Sequence, residues 1–529
     1  MTEEIIKIRE RAKIHEAWCL PPDTLVFTPW GLKEIGDLQY GDLVLADDGS
    51  FTKVKAVLQR PYHGRLIELR TGFVRRRILI TPDHYVLAIP NLRVMQKDVW
   101  RKKLLNGELH LSFKWKKACE LDTTDFLVIP CPKNVGNLPE QLDLRKFSKR
   151  KLVVIDDTYA FHKYDHFKRE FKYKIELNEE FYELLGLYLA EGWIAEHKTS
   201  AHVYFALGKH ETDLAEHISK LVESIFDEEL HWCNHRTCIQ LIISNSTIAD
   251  FFKVFGRRSE DKGIPPPLLP LCDERAMSLV CGYIKGDGCV HSEVPYINMS
   301  TSSPMLAGQL YLILISQGIL PSIDIIEPST TFSPSLRRFL VGRHKHYNIV
   351  ISGEYCDKFP FNIRKRKAHK GMRGIVYNGF ALIPIYEITE REYDGIVYNL
   401  TTDSNTYTIL GGVVHNCQIK HVLCAEEHGI ETIQKLAREM NEALDRGDKD
   451  IATLKLNQIQ ELALLTDELR RIRQELVDMI FTFISEEKIR ELKGGEVNVH
   501  KEKEEIRVKG SGEDCGEEIQ LFEEYKAEE

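Results

Sequence analysis

The sequence predicts a multidomain protein in which one all-β domain is split by an α/β domain and flanked by helical segments that are acidic when taken together. Short β-type runs broken by Gly, Asp and Pro fill residues 19–135 and return in 375–416. Between them, 136–374 mixes helical and strand patterns and repeats itself once, which indicates a pseudo-twofold α/β domain. Residues 1–18 and 417–529 lack the β pattern, and the second segment carries apolar residues at helical spacing.

Charge follows the same division of the chain. The 529 residues carry a net charge of −9. Residues 417–529 hold 28 acids against 17 bases and residues 1–18 are balanced, so the segment between them has a net charge of +2. Two compositions in one chain indicate an acidic helical host that is interrupted by a mildly basic insert.

Cysteine usage and hydropathy bear on the compartment. The twelve cysteines are scattered without a CxxC pair, which favours a reducing interior over a disulfide framework. The opening segment lacks the apolar core of a signal peptide, and no run approaches the ~18 apolar residues of a membrane span. We therefore expect a cytoplasmic protein without a membrane partner.

Thiols stand at both ends of the segment 19–416. Cys19 is placed to attack the carbonyl of Trp18 and convert that peptide bond to a thioester. Cys417 can then take over the acyl group by exchange. The acyl group stays activated without an outside energy source, as it must in a chain that cuts itself out and rejoins its flanks.

The residues beside the second junction can complete the excision. The side-chain amide of Asn416 can close a succinimide on its own carbonyl, with His415 expected to give a proton to the leaving amine. In ITPDHYVL, Thr81 and His84 are expected to activate the first bond through hydrogen bonds that favour the oxyanion. Each short pattern alone is common, whereas their joint occurrence at the ends of the β pattern is improbable by chance.

These runs carry a family resemblance. CLPPDTLVFTPWG, TPDH and VVHNC resemble the N-terminal, TxxH and C-terminal blocks of inteins, the protein-splicing family with the Hint fold. The resemblance covers residues 19–416 and implies a horseshoe-shaped β domain that brings both junctions together. Two positions depart from the family pattern, because Asn399 and Asn405 stand where inteins often carry Asp and His. Both positions assist proton handling in the family, so their change bears on the speed of the steps.

A Hint-type domain that cleaves without ligating, as in Hedgehog-like proteins, is an alternative. Such cleavage requires neither a terminal asparagine nor a following nucleophile. The pair Asn416 and Cys417 therefore favours splicing.

Two helical runs inside the insert, LLGLYLAEG and VCGYIKGDG, each end in an acidic residue and a glycine. They resemble the paired motif of LAGLIDADG homing endonucleases. Gly186 and Gly282 lack side chains, which allows two helices to pack closely. Glu191 and Asp287 would then lie side by side, and because adjacent carboxylates repel unless they share cations, the arrangement implies Mg²⁺ and metal-assisted hydrolysis of DNA.

Further insert residues are expected to contact double-stranded DNA. Lys262 lies where the family places a catalytic lysine and Lys365 is its counterpart after the second motif, although each is otherwise explained as a phosphate contact or a solvated side chain. Strands in RTCIQLIIS and RHKHYNIVIS would face the major groove. LRKFSKRK and AFHKYDHFKREFKYK mix bases with aromatics and form either an additional DNA arm or a solvated face.

An inactive nuclease is the main competing hypothesis for the insert. Glu191 is one methylene longer than the Asp more usual in the LAGLIDADG family, and inteins often retain nuclease domains that no longer cut. The alternative is thus a splicing-competent intein with an inert DNA-binding domain.

The joined flanks would form a 131-residue host protein. His15, Cys417, His421, Cys424 and His428, here called the host stripe, fall within an arc of about 80° on one helix that spans the junction. The stripe predicts either a metal or cofactor site or a polarizable face packed in a helical bundle. The host stripe therefore predicts that the host is a helical metal-binding or scaffold protein. The sequence assigns it no reaction and no partner.

Overall fold

The structure, a computed structural model, describes residues 19–416 with four short gaps. The gaps are 96, 199, 334–337 and 362–373. The predicted helical segments 1–18 and 417–529, with the host stripe, lie outside the described residues. Among the described residues, no helix has both the length and the apolar character needed to cross a bilayer.

The elements are numbered here in chain order. The first part contains β1 (Leu25–Thr28), β2 (Gly31–Glu34), β3 (Leu43–Leu45), β4 (Phe51–Thr71), β5 (Ile78–Ile80), β6 (Tyr85–Ile89), α1 (Lys97–Leu105), β7 (Lys114–Lys117) and β8 (Phe126–Pro130). The middle part contains β9 (Gln141–Asp143), β10 (Leu152–Val154), β11 (Tyr159–His162), β12 (Glu170–Lys172), β13 (Lys174–Glu176), α2 (Glu179–Glu191), β14 (Gly192–Glu196), β15 (Ala201–Gly208), α3 (Thr212–Phe226), β16 (His231–Asn234), β17 (Cys238–Ile243), α4 (Ser246–Phe252), α5 (Arg275–Asp287), β18 (Gly288–Val290), β19 (Tyr296–Thr301), α6 (Pro304–Ser316), β20 (Ser322–Ile326), β21 (Thr330–Ser333), β22 (Arg338–Val341) and β23 (His346–Ser352). The last part contains β24 (Ile375–Tyr377), β25 (Phe380–Thr402), β26 (Thr406–Ile409) and β27 (Gly412–His415).

One twelve-stranded sheet combines strands from the first and last parts. Its order is β2-β1-β26-β27-β6-β8-β25-β4-β3, with β5, β7 and β24 paired beside it. β1 pairs antiparallel with β26 through Val26 and Ile409, and β27 pairs antiparallel with β6 through Val414 and Val86. Strands that are more than 300 residues apart in sequence therefore alternate in a single sheet.

Two strands of this sheet are much longer than the sequence predicts. The punctuation in QRPYHG predicts a turn, yet β4 continues through it for 21 residues and pairs with the 23-residue β25. Pro61 lies opposite Ile396 in a stretch where β4 has only β25 as a neighbour. The missing N–H of proline can face outward there, so the strand does not have to end.

The first part also departs from the all-β expectation, because it contains α1 between β6 and β7. Trp100 and Leu104 of α1 are buried in a small core with Phe126 and Leu382. The helix therefore covers one surface of the β domain.

The middle part repeats one supersecondary unit. Its two four-stranded sheets have matching orders, β14-β15-β17-β16 and β18-β19-β23-β20. In each repeat a helix precedes the first two strands and a second helix precedes the last two, with the hairpin β21–β22 added in the second repeat. The repetition expected from the sequence is therefore present as two units, each with a four-stranded sheet.

The α/β repeats pack directly on the twelve-stranded sheet through α6. The rings of Tyr311 on α6 and Phe27 on β1 stack with centroids 5.5 Å apart. The buried side chain of Gln309 donates to the main-chain oxygen of Pro29 at 3.0 Å. One continuous hydrophobic core consequently runs through both parts.

Candidate functional sites

Cys19 is buried at the start of the described chain and is held by its main chain. Its N–H donates to Oγ1 of Thr81 at 2.8 Å, and that hydroxyl donates back to the carbonyl oxygen of Cys19 at 3.1 Å. The next residue, Leu20, exchanges two main-chain hydrogen bonds with Tyr398 at 2.8 and 2.7 Å. The nitrogen of the predicted first scissile bond is thereby fixed against the loop after β5.

The thiol of Cys19 meets two opposing influences. Burial raises its pKa, and the guanidinium of Arg60 lowers it in opposition. Arg60 extends from β4 with its guanidinium carbon 5.2 Å from the centre of the Tyr62 ring, and its Nε is buried without a hydrogen-bond partner. Arg60 was not predicted, because a basic residue in an alternating strand gives no signal of the side chain that it will face.

His84 lies between the two ends of the segment 19–416. Its Nδ1 is 3.4 Å from the main-chain oxygen of Cys19, and its Nε2 is 3.0 Å from that of His415. Burial lowers the pKa of His84 to about 4, so the ring is neutral at pH 7. A neutral imidazole carries one N–H and donates to one of these oxygens, whereas a protonated ring could donate to both.

Asn416 is buried beside a tight turn that contains Asn405. The main-chain N–H of Asn416 donates to the oxygen of Asn405 at 2.9 Å. With its amide oriented to accept from the N–H of Thr402 at 3.1 Å, its side-chain nitrogen donates to the same oxygen of Asn405 at 3.2 Å. Asn405 has a φ of +60°, a left-handed conformation that Asn adopts more readily than most residues. The side chain that is predicted to cyclise is thus held on both of its polar atoms.

His415 contacts the carbonyl of the predicted second scissile bond. Its Nδ1 lies 2.9 Å from the main-chain oxygen of Asn416, and its ring meets Trp115 edge-on at 5.2 Å. The sequence predicts donation to the leaving nitrogen of Cys417, and this stays a prediction because Cys417 lies outside the described residues. In the structure Nδ1 of His415 is placed to polarise the carbonyl oxygen of Asn416.

Asn399 occupies the position where the intein pattern often has Asp. It is buried, and its Oδ1 accepts from the N–H of Leu400 at 2.7 Å and from the hydroxyl of Tyr407 at 2.8 Å. A neutral amide oxygen satisfies both donors without bringing a charge into the core.

In the insert, α2 and α5 cross at two glycines. A Cβ on Gly186 would lie 2.1 Å from the main-chain oxygen of Leu279, and one on Gly282 would lie 2.2 Å from that of Glu183. The two helices therefore approach as closely as their backbones allow. Glu191 and Asp287 are the last residues of these helices, so the crossing brings both carboxyl groups to one end of the pair.

The carboxyl groups and Lys262 form one electrostatic cluster. Burial, Asp287 and Glu211 raise the pKa of Glu191 to about 7 against the opposing effect of Lys262. Burial also raises the pKa of Asp287, and Lys262 lowers it. Burial lowers the pKa of Lys262 to about 8, opposed by both carboxylates. Two carboxyl groups whose ionisation is unfavourable side by side fit a hard divalent cation, because such cations prefer oxygen ligands.

Lys262 is buried and already engaged. Its Nζ donates to the carbonyl oxygens of Tyr188, Leu189 and Ala190 at 2.9, 2.8 and 3.3 Å, which caps the end of α2. The sequence predicts a catalytic lysine here but contains no signal of this capping function. The second predicted lysine, Lys365, lies outside the described residues. Within the described part of the chain, no group of three or more His, Cys, Asp or Glu side chains is placed to hold a metal ion.

The two sheets of the repeats present half-exposed faces. Along β17 the residues Gln240 and Ile242 alternate with buried neighbours, and along β23 Asn348 and Val350 do so. The buried residues of each strand face the helices, because the side chains of a strand alternate between its two faces. The predicted DNA-facing strands therefore have one face available to a ligand.

The comparison with protein families identifies the second repeat. Residues 274–364 match the LAGLIDADG-like domain family. This part of the chain is a LAGLIDADG-like domain. The match begins just before α5 and includes Asp287, and the preceding repeat has the same strand order as this LAGLIDADG unit.

Curated relatives match a longer segment than the LAGLIDADG domain. Uncharacterized protein MJ0043 of Methanocaldococcus jannaschii is 26% identical over 427 residues, covering 76% of this chain and 51% of that protein. The ATP-dependent DNA helicase Hel308 of Thermococcus kodakarensis is 29% identical over 429 residues, covering 75% and 36%. An iron–sulfur cluster assembly SufBD family protein of Mycobacterium bovis is 24% identical over 414 residues, covering 75% and 43%. The chain thus spans 36–51% of the length of these relatives.

Among solved structures, the homing endonuclease I-WcaI bound to its DNA recognition sequence aligns with 33% of this chain and 76% of its own. The sequence identity is 14% and the TM-score is 0.21.

Proposed function

We propose that residues 19–416 are an intein that excises itself and joins Trp18 to Cys417, and that its LAGLIDADG domain is a homing endonuclease for double-stranded DNA. The observation that carries the splicing proposal is the position of His84, whose ring nitrogens face main-chain oxygens of Cys19 and His415 at 3.4 and 3.0 Å. A self-excising segment needs its ends together, and these two residues are about 400 positions apart in the sequence.

The relatives support the same proposal. A DNA helicase and an iron–sulfur cluster assembly protein each match over 75% of this chain. Residues 19–416 are 398 of 529, which is also 75%. Similarity over three quarters of this chain to proteins of unrelated description is expected of an element that is inserted into different hosts.

In the first step, the Cys19 sulfur attacks the Trp18 carbonyl, a C–S bond forms, and the C–N bond to Cys19 breaks. Neutral His84 is proposed to carry the thiol proton, because burial lowers its pKa to about 4 and a protonated ring therefore returns its proton readily. The proton then passes to the nitrogen of Cys19, which Thr81 holds. Arg60 stabilises the sulfur anion while it forms.

In the last steps, the Cys417 sulfur displaces Cys19 from the thioester, and the Asn416 amide nitrogen attacks its own carbonyl carbon. A C–N bond closes the succinimide while the bond to Cys417 breaks and its nitrogen gains a proton. Nδ1 of His415, 2.9 Å from that carbonyl oxygen, favours the attack by stabilising negative charge on it. An S-to-N acyl shift then joins Trp18 to Cys417.

For DNA cleavage, Glu191 and Asp287 are proposed to hold Mg²⁺ at the ends of α2 and α5. A bound Mg²⁺ would polarise a scissile phosphate and lower the pKa of the attacking water. The chain positions one carboxylate from each repeat, which suits two cuts on the two strands of a duplex. Lys262 contributes a buried positive charge behind the carboxylates.

Splicing is tested by producing the full chain beside a Cys19→Ala, Asn416→Ala variant and measuring intact masses. The expected products are a 398-residue excised segment and a 131-residue ligated host, with the variant intact. A wild-type chain that remains whole, or two fragments without a ligated product, would refute splicing.

Cleavage is tested with a duplex of the host coding sequence from which the insert is absent, incubated with Mg²⁺. The expected result is a double-strand break that Asp287→Asn abolishes. A second candidate is an inert DNA-binding domain, which is favoured by the engagement of Lys262 with three carbonyl oxygens. Binding of the duplex without any cut would support that candidate.

A further inference from the structure

The segment 144–174, here called the basic arm, stands out from the chain by its charge. It contains ten Lys and Arg against four Asp and Glu, a net charge of +6 in a chain whose total is −9. The arm precedes α2 and includes a three-stranded sheet, β10-β11-β12. The LAGLIDADG repeats do not include it, and the functions proposed above do not use it.

The tip of the arm, the turn between β11 and β12, presents two aromatic side chains to solvent. Tyr164 is 78% exposed and Phe167 is 84% exposed. The positive charges of Lys163, Lys168 and Arg169 lie in the same turn. Large apolar groups at this exposure, next to cations, are typical of a surface that is covered by a ligand.

The tip is an ordered structure. The carboxylate of Asp165 accepts from the main-chain N–H groups of Phe167 and Arg169 at 3.1 and 3.2 Å, and from the Arg169 side chain at 3.3 Å. Below it, Phe171 and Tyr173 form a small buried core. The exposed aromatics are therefore held out from the surface by a folded hairpin.

The arm is attached beside the outer end of the first LAGLIDADG sheet. His162 on β11 and Ser148 both contact the hydroxyl of Thr247, at 2.9 and 2.8 Å. The residue after Ser148 also bonds α4, since the N–H of Lys149 donates to the carboxylate of Asp250 at 3.0 Å. This attachment lies near the Ala201 end of β15, because the N–H of Ala201 donates to Ser246 at 3.2 Å.

The catalytic end of this sheet is the opposite one. Gly192, which follows Glu191, pairs with Phe205, whereas Glu196 pairs with Ala201 at the far end of the ladder. Four residues of strand separate these two ends, which is about 13 Å. The arm is thus attached at the end of the first sheet that lies away from the carboxylate pair.

We propose that the basic arm is a second contact to duplex DNA, which grips the duplex on one side of the cut sites beyond the LAGLIDADG sheets. Lys163 and Lys168 neutralise phosphates, and Tyr164 and Phe167 press against the sugars and base edges of the minor groove. The inference rests on the proposed endonuclease function and deepens it, because it makes the DNA footprint asymmetric although the two repeats are alike.

The test uses the full chain carrying Cys19→Ala and Asn416→Ala, so that it remains in one piece. One arm variant removes the aromatics (Tyr164→Ala, Phe167→Ala) and another removes two charges (Lys163→Gln, Lys168→Gln). The control removes two exposed charges from α1 (Lys102→Gln, Lys103→Gln). Affinity is measured on the insert-free host duplex at about 50 base pairs and on the same duplex trimmed to about 20, roughly 70 Å.

On the long duplex, each arm variant is expected to bind on the order of tenfold more weakly at 0.15 M salt, and the charge variant should lower the log–log salt slope by about 2. The trimmed duplex should be bound and cut equally by all variants. Equal binding of the long duplex by wild type and arm variants, or an equal loss of affinity in the α1 control, would overturn the proposal that the basic arm contacts DNA. The proposed endonuclease function would not be affected by that result. A wild type that binds and cuts neither duplex would overturn both.

Discussion

A single buried ring, His84, links the two ends of the segment 19–416. Its two nitrogens face two carbonyl oxygens, which is one donor too few for a neutral imidazole. Burial nevertheless keeps the ring neutral by lowering its pKa to about 4. Protonation would satisfy both oxygens, but burial outweighs that gain, so a proton taken up by the ring is readily given up again, as a transient proton carrier requires.

This protonation state predicts a pH dependence of stability. The unfolded His84 binds a proton below pH 6.5, whereas the folded one does so only below about 4. Its contribution to the free energy of unfolding is thus present above pH 6.5 and is lost as the pH falls towards 4, by about 3 kcal/mol. In the Cys19→Ala, Asn416→Ala chain, the free energy of unfolding measured with urea should fall between pH 7 and 4.5. This fall should be smaller when His84→Gln is added. Parallel losses in the two proteins would contradict this.

At the other site, burial and a neighbouring charge oppose ionisation of Glu191. Its pKa of about 7 means that at pH 6.5 the carboxyl is largely protonated before a cation binds. Cation binding requires the carboxylate, so binding should release protons.

Titration calorimetry of Mg²⁺ in two buffers of different ionisation enthalpy measures this release. At pH 6.5 we expect each bound Mg²⁺ to release between a half and one proton, on the order of the fraction of Glu191 that is protonated. The number released should fall towards zero by pH 8.5, because Glu191 is then already ionised. Glu191→Gln should remove the buffer dependence. Heats that are independent of the buffer in wild type would show that Glu191 does not bind the cation as a titrating ligand.

At the scale of elements, the contact between α2 and α5 decides whether the carboxylates meet. Helix propensity alone favours Ala over Gly by about 1 kcal/mol in a helix interior. Packing opposes it, because a Cβ on Gly186 would meet two backbone atoms, the Leu279 oxygen at 2.1 Å and the Tyr283 nitrogen at 2.7 Å. Backbone atoms of a helix cannot move aside as a flexible side chain can.

We therefore expect Gly186→Ala to destabilise the LAGLIDADG domain by about 3 kcal/mol and to abolish cleavage, with the packing cost exceeding the gain in propensity. Thermal unfolding and the cleavage assay measure the two effects. The matched control is Glu179→Ala at the exposed start of α2, which gains propensity without entering the contact. A stabilised Gly186→Ala protein would mean that the helices do not approach in this way.

At the scale of the whole molecule, the LAGLIDADG domain and the β domain share an interface in which the backbones of α6 and β2 approach closely. A Cβ on Gly308 of α6 would lie 2.4 Å from the main-chain nitrogen of Leu32 on β2. Ser303, at the start of α6, donates to the main-chain oxygen of Lys262 at 2.6 Å. One helix thus contacts both the hairpin that follows Cys19 and the loop that carries the buried lysine.

Gly308→Val should separate these two parts without directly altering either site. We expect the free energy of unfolding to fall by about 1–3 kcal/mol. We also expect splicing to slow, because β1 leads directly from the Cys19 junction. Calorimetry and the rate of appearance of ligated host provide the measurements. A methyl added at exposed Ser259 (Ser259→Thr) is the control, and an unchanged splicing rate in Gly308→Val would show that the insert is independent of the splicing domain.

Several site residues could be predicted because their chemistry depends on local patterns. The acid and glycine that end each helical motif predict where Glu191 and Asp287 lie on their helices. Which residues of β17 and β23 are exposed is shown only by the structure. Arg60 and the capping function of Lys262 could not be predicted, since each depends on contacts with residues distant in sequence. The length of β4 was missed because a turn signal at Pro61 was overridden by pairing with β25.

The sequence by itself determined the two motif carboxylates, the repeated α/β unit and the β strands on both sides of it, and it predicts the nucleophiles, because each of these depends on residue type and short-range periodicity. Only the tertiary structure decided that His84 faces both ends of the segment 19–416 and that α6 joins the two domains. Such contacts follow from strand order and packing, which bring together residues hundreds of positions apart. The physical reason is that a hydrophobic pattern specifies which face of an element is buried, whereas the element that buries it is chosen by the fold as a whole.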